Sequence, residues 1–125
     1  MFSFNSPAIS KNIWKVCFRT QEEMNKIYYE NRTVEEGVRL HGITEYVTST
    51  IYLDKELDGF LLAKALRHEL THVYLWETGQ QGRIFTEEEL CDIMSVASSA
   101  INNTVDLIIL RLQEGLYKKG EPSNE

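Results

Sequence analysis

Leu57-Asp58-Gly59-Phe60-Leu61-Leu62-Ala63-Lys64-Ala65-Leu66-Arg67-His68-Glu69-Leu70-Thr71-His72-Val73-Tyr74-Leu75-Trp76-Glu77 is the stretch on which the fold turns. Leu62, Leu66, Leu70 and Val73 recur at helical spacing, so the segment predicts a helix with one apolar face. Asp54 and Asp58 are the two candidate caps for its start, and Gly79 is the candidate stop. Within it lies an HExxH string. Residues four apart on a helix share a face, so His68 and His72 present two imidazoles to one metal ion from a single rigid element. Glu69 sits about 100° further round, beside such a metal rather than on it, where it can take a proton from bound water. Zinc suits this donor set best: it accepts imidazole nitrogen, prefers four ligands and brings bound water to a pKa of roughly 7.

Composition narrows the alternatives. A chain of 125 residues holds one domain, residues 1–125, with room for a real core and a frayed tail from about 120 to 125. The net charge is −6 and the arginines are scattered, which disfavours nucleic acid as a partner and points to neutral or basic peptides as substrates. The Met1–Pro7 segment lacks the features of a secretion signal, and the Leu107–Leu110 run is far shorter than a membrane span. A cytoplasmic protein with no membrane partner is the expectation, with Cys17 and Cys91 as free buried thiols.

Outward from the motif, Asn12 to Arg19 reads as a strand. Thr20 with Glu23 forms a capping-box pattern opening a helical region that Gly37 ends. Val38, Leu40 and then Tyr46 to Leu53 carry strand character interrupted by Gly42, with Ile51 and Leu53 on one face. A loop from Thr78 to Phe85 precedes a long helical segment from Glu87 to about Lys118, which Asn102-Asn103 is expected to break in two. The expected fold is α+β: about three mainly antiparallel strands packed on the motif helix and the following long helix, with the strand near Ile51 at the edge of a cleft.

A catalytic zinc usually has a third protein ligand. Thr86 and Glu89 match a second capping box, which ties the Glu89 carboxylate to the backbone and leaves Glu88 free. Glu88 as ligand, with Asp92 orienting a ligating histidine by a hydrogen bond, is a coherent division of labour. Glu89 and Asp92 stand as alternative ligands, since acidic residues also gather in a helix's first turn because of its dipole. Cys91, Ser95 and Ser99 would give a small-residue face for close helix approach, and Leu90, Met94, Ala97, Ile101, Val105, Ile108 and Leu112 an apolar one. The remaining histidine, His41, reads as partly exposed and structural. Tyr46, Tyr74 and Arg83 are candidate donors to an oxyanion.

The run of Gly42-Ile43-Thr44, Ile51-Tyr52-Leu53-Asp54, Leu66-Arg67-His68-Glu69-Leu70-Thr71-His72 and Glu88-x-x-Cys91-Asp92 resembles the small gluzincin-type metallopeptidases of bacteria and phages, in particular the ImmA/IrrE-like family. The similarity spans roughly residues 40 to 100. That family follows its active helix with an E-x-x-A-N pattern, onto which Glu88, Cys91 and Asp92 fall; the usual Leu-Met-Pro beyond it is missing here. The resemblance implies a zincin-like fold and zinc-dependent hydrolysis of a protein or peptide substrate. It assigns Glu69 as general base and His68, His72 and Glu88 as zinc ligands. Two other readings of the residues stand beside it: a catalytically silent binding module of the same fold, and a metal-free helical interaction protein.

Overall fold

Alternating apolar residues in the first 54 positions build a sheet, and two long apolar-faced helices cover it. The computed structural model describes residues 2–7, 9–29 and 39–115. Its elements run β1 (Phe2–Phe4), β2 (Trp14–Arg19), α1 (Gln21–Tyr28), β3 (Gly42–Glu45), β4 (Thr50–Asp54), α2 (Gly59–Glu77) and α3 (Glu87–Gln113). The class is α+β, with a four-stranded sheet in the order β1-β2-β4-β3.

The sheet is mixed: β1–β2 and β3–β4 pair antiparallel, whereas β2 and β4 are parallel. The expected three strands become four because Phe2-Ser3-Phe4, too short to stand out in sequence, pairs with Trp14–Val16. The register sets the faces. Val16 pairs with Ile51 and Phe18 with Leu53, while Ile51 and Leu53 also oppose Thr44 and Gly42. Alternation therefore puts all six positions on one face. There Trp14, Val16, Phe18, Ile51 and Leu53 join Leu62, Leu66, Leu70 and Val73 of α2 and Ala97, Ile101, Val105 and Ile108 of α3 in the main core. The other alternation carries buried Cys17 and Ile43, and α1 packs against β4.

Several expectations change. Tyr46 to Ser49 form a turn rather than a strand; Ser49 adopts φ 50°, a left-handed conformation that β-favouring neighbours do not announce. Gly42 opens β3 instead of interrupting a strand. The strand containing Ile51 is interior, between β2 and β3, so the edge strand nearest the motif helix is β3. Asp58, not Asp54, caps α2: Asp54 is fully buried, pairs with Arg39 at 2.5 Å and accepts a hydrogen bond from the Glu56 amide. Thr78 is the C-cap and Gly79 follows with φ 73°, the left-handed stop expected of a glycine there.

The long helix α3 runs unbroken through Asn102 and Asn103, both exposed, and Asn102 accepts a hydrogen bond from the Arg67 guanidinium at 2.9 Å. It contributes no buried residue before Ala97: Leu90 and Met94 are half exposed, and the small face of Cys91, Ser95 and Ser99 is exposed rather than packed on α2. Cys91 is therefore an exposed thiol and Cys17 a buried one. By length and composition alone α3 could cross a membrane, with an 18-residue window of mean hydropathy 1.4. That apolarity is used in part by the core face running from Ala97 to Ile108. Gly37 and Val38, the helix continuation to Lys118 and the tail from 120 lie outside the described residues.

Candidate metal centre

Burial on α2 separates the three motif side chains. Leu66, Leu70 and Val73 point into the core, which turns His68 and His72 outward, both exposed, while Glu69 is only 5% exposed. The two imidazoles are 5.0 Å apart between ring centroids with planes at 71°. Two imidazoles on one face are the half of a metal site that a helix can supply alone.

Glu69 is held against the edge strand. Its Oε1 accepts a hydrogen bond from the Thr44 hydroxyl at 2.8 Å, and its Oε2 lies 3.9 Å from Nε2 of His68. Gly42, two residues before Thr44 and on the same face, leaves the space the carboxylate fills: a Cβ there would come within 2.8 Å of Glu69 Cγ. A buried carboxylate needs such partners, since an unpaired one costs several kcal/mol or more. Among the described residues no buried side-chain nitrogen or oxygen lacks a hydrogen-bond partner.

The β3–β4 turn places Tyr46 at this rim. Its ring stacks on Trp76 of α2 with centroids 4.6 Å apart. Burial raises the Tyr46 phenol above its usual value; a hydrogen bond with Gln81 works against the rise, and the Glu69 charge adds to it. Tyr46 is thus a protonated donor at neutral pH within the field of the glutamate. Of the other two candidate donors, Tyr74 packs on the core as Tyr46 does, and Arg83 pairs with Glu89 and lies over the Phe85 ring.

On the His68 side a cleft of about 260 Å³ opens between α2 and the chain entering β3. Its walls include Arg39, His41, Gly42, Lys64, His68 and Glu69. His41, read from sequence as structural, shares this cleft. It lies one residue before β3 and reaches the cleft only through the packing of β3 on α2, which the local sequence does not announce.

The expected third ligand is not brought in. The Thr86 cap and its box with Glu89 form as expected, and Arg83 takes the other Glu89 oxygen, so that carboxylate is fully engaged. Glu88 and Asp92 are exposed. Among the described residues no three of His, Cys, Asp and Glu group as a metal-holding set. The reason is helix register. Arg67 meets Asn102, and Leu62 shares a pocket with Ile109, so α2 and α3 are antiparallel. Counted from the Arg67–Asn102 pair, His72 lies level with about Ala97, and Glu88 stands on the order of 14 Å further along the axis, at about 1.5 Å per residue. His68 and His72 share one face, as two ligands of one zinc ion would, whereas the carboxylate that would complete a three-ligand set stands apart from them. No protein-family model, curated protein or solved structure matches the chain.

Proposed function

We propose that this chain is a small zinc-dependent hydrolase of peptide bonds with a zincin-like fold, in which His68 and His72 are zinc ligands and Glu69 is the general base. One observation carries the reading: an HExxH helix whose two histidines are exposed side by side while its glutamate is buried and fixed against an edge strand. The Thr44 bond would satisfy any buried carboxylate; what favours a base is that it fixes Glu69 beside the paired histidines. A base needs this, because its proton-accepting oxygen has to be held in place.

Bound zinc would supply a polarised water and a polarised scissile carbonyl. Glu69 takes the water's proton and passes it to the leaving amine. The Thr44 hydroxyl, bonded to Oε1, leaves Oε2 on the His68 side for that transfer. Tyr46, whose phenol feels the Glu69 charge, is the candidate donor to the carbonyl oxygen as charge develops on it. Glu88 remains the carboxylate proposed to complete the zinc site. The gap to the histidines runs along the helix axis, so reaching them takes unwinding of the first turns of α3, which Glu87 to Val96, contributing nothing to the core, does little to oppose. The same separation of Glu88 from the histidines favours the second reading, a binding module that keeps the cleft without turnover.

A peptide-library digest read by mass spectrometry separates the two. The hydrolase reading expects cleavage that a chelator stops and zinc restores. Bound zinc with no cleavage of any peptide would leave the binding module.

A further inference from the structure

We infer that the cleft beside His68 is a carboxylate-recognising subsite, so that the preferred ligand is a peptide carrying an acidic group there. The net charge of −6 would suggest the opposite, but the groups around this cleft are distributed unevenly. The cations lie on its open side. Lys64 is exposed and makes no ion pair with a described residue, and the Arg39 side chain is 54% exposed. His41 adds an exposed imidazole.

Among the described residues, the carboxylates nearest these cations, Asp54 and Glu69, are buried. The Asp54 side chain is wholly buried and already accepts from Arg39 and the Glu56 amide. That of Glu69 is 7% exposed and accepts from Thr44. Among the described residues, a ligand entering the cleft meets side-chain donors, with the carboxylates of Asp54 and Glu69 recessed behind them. Arg39 uses Nη2 on Asp54, and a guanidinium carries further N–H donors in a planar fork that matches a carboxylate.

Size selects the ligand class. A volume of about 260 Å³ falls below the ~300–1,000 Å³ common for pockets that enclose a whole small molecule, and suits one side chain or one chain end. The cleft also begins at Gly42, the first residue of the edge strand, where a peptide added alongside β3 would place a side chain. A carboxylate reaches it either as a glutamate side chain or as a free C-terminus.

This inference deepens the hydrolase reading, but its test is binding and does not depend on turnover. Three short peptides are titrated into 15N-labelled protein while the Gly42 and Ala65 amides are followed: acetyl-Ala-Glu-Ala-amide, acetyl-Ala-Ala-Ala with a free carboxylate, and acetyl-Ala-Lys-Ala-amide. One or both carboxylate peptides should shift these amides at lower concentration than the lysine peptide, and which of them does identifies the source of the carboxylate. Lys64→Ala should weaken carboxylate binding on the order of five-fold, as expected for a single exposed charge pair, and leave the lysine peptide unchanged. Lys64→Glu should reverse the preference. Equal shifts from all three peptides, no shift at Gly42 or Ala65, or a preference that survives Lys64→Glu would each overturn the subsite. If the acidic preference is present but no peptide is ever cleaved, the subsite stands and the hydrolase reading falls.

Discussion

A Cβ on Gly42 would stand 2.8 Å from Cγ and 2.9 Å from Oε2 of Glu69, so the edge strand and the proposed base are fitted to one another. The requirement is for space rather than for a left-handed backbone, and it links a strand residue to the chemistry of a helix.

Gly42→Ala should therefore displace the Glu69 carboxylate from Thr44. Overpacking of this kind costs about 1–3 kcal/mol, measurable by denaturant unfolding. Activity should fall further than stability predicts, while zinc affinity, which rests on His68 and His72, changes little. An alanine variant with unaltered turnover would mean that the placement of Glu69 does not matter.

Glu69→Gln should keep the fold and the metal and lose hydrolysis by about 10²- to 10⁴-fold, the range for a positioned proton-transfer group. Glutamine retains the acceptor for the Thr44 hydroxyl but not the basicity. A zinc-loaded glutamine variant as active as the wild type would falsify the assignment.

Glu88→Gln and Glu89→Gln separate ligand from cap. Glu89 closes the capping box with Thr86 and holds Arg83, so its loss should cost on the order of 1 kcal/mol of stability and leave zinc affinity alone. Glu88 has no such bond, and its substitution should weaken zinc binding with little effect on melting. Zinc affinity that is indifferent to Glu88 would show that the metal is held without it.

The last turn of α2 gives a pH dependence. Burial pushes the Glu77 carboxyl up, but hydrogen bonds with Ser10, Asn12 and Trp14, helped by Lys11, outweigh it and hold the group below the ordinary glutamate value of 4.5. With the folded-state pKa below the unfolded one, this contribution to stability is fully present above the unfolded value and is lost as pH falls through the folded one. Wild type should melt a few degrees above Glu77→Gln at pH 7. The gap should close as pH drops below about 4.5. A gap constant down to pH 3 would contradict the ionic origin of this tie between the N-terminal segment and α2.

What sequence reading recovers here is local. Both capping boxes, Thr20 with Glu23 and Thr86 with Glu89, form because their partners lie three residues apart and depend on nothing else. The core face of α2 follows from helical periodicity in the same way. Distant pairing is harder to see. No local signal tells that Phe2–Phe4 joins β2, or that the parallel β2–β4 ladder pushes β3 to the edge. The expectation that Glu88 reaches the histidines rests on its freedom from the Thr86–Glu89 capping box and on motif order, neither of which fixes its distance. Its distance depends on the length of the 78–86 connection and on the register of two helices, which no residue in either helix encodes alone. The place of His41 is hidden in sequence for the same reason, since only the packing of β3 on α2 brings it to the cleft of His68.

A zinc site on α2 requires His68 and His72 together. Elemental analysis of tag-free protein after equilibrium dialysis against zinc tests it most directly. About one zinc per chain is expected for the wild type, falling to background in both His68→Ala and His72→Ala while the far-UV spectrum is unchanged. A folded wild type that retains no zinc, or a double alanine variant that retains as much as the wild type, would contradict it.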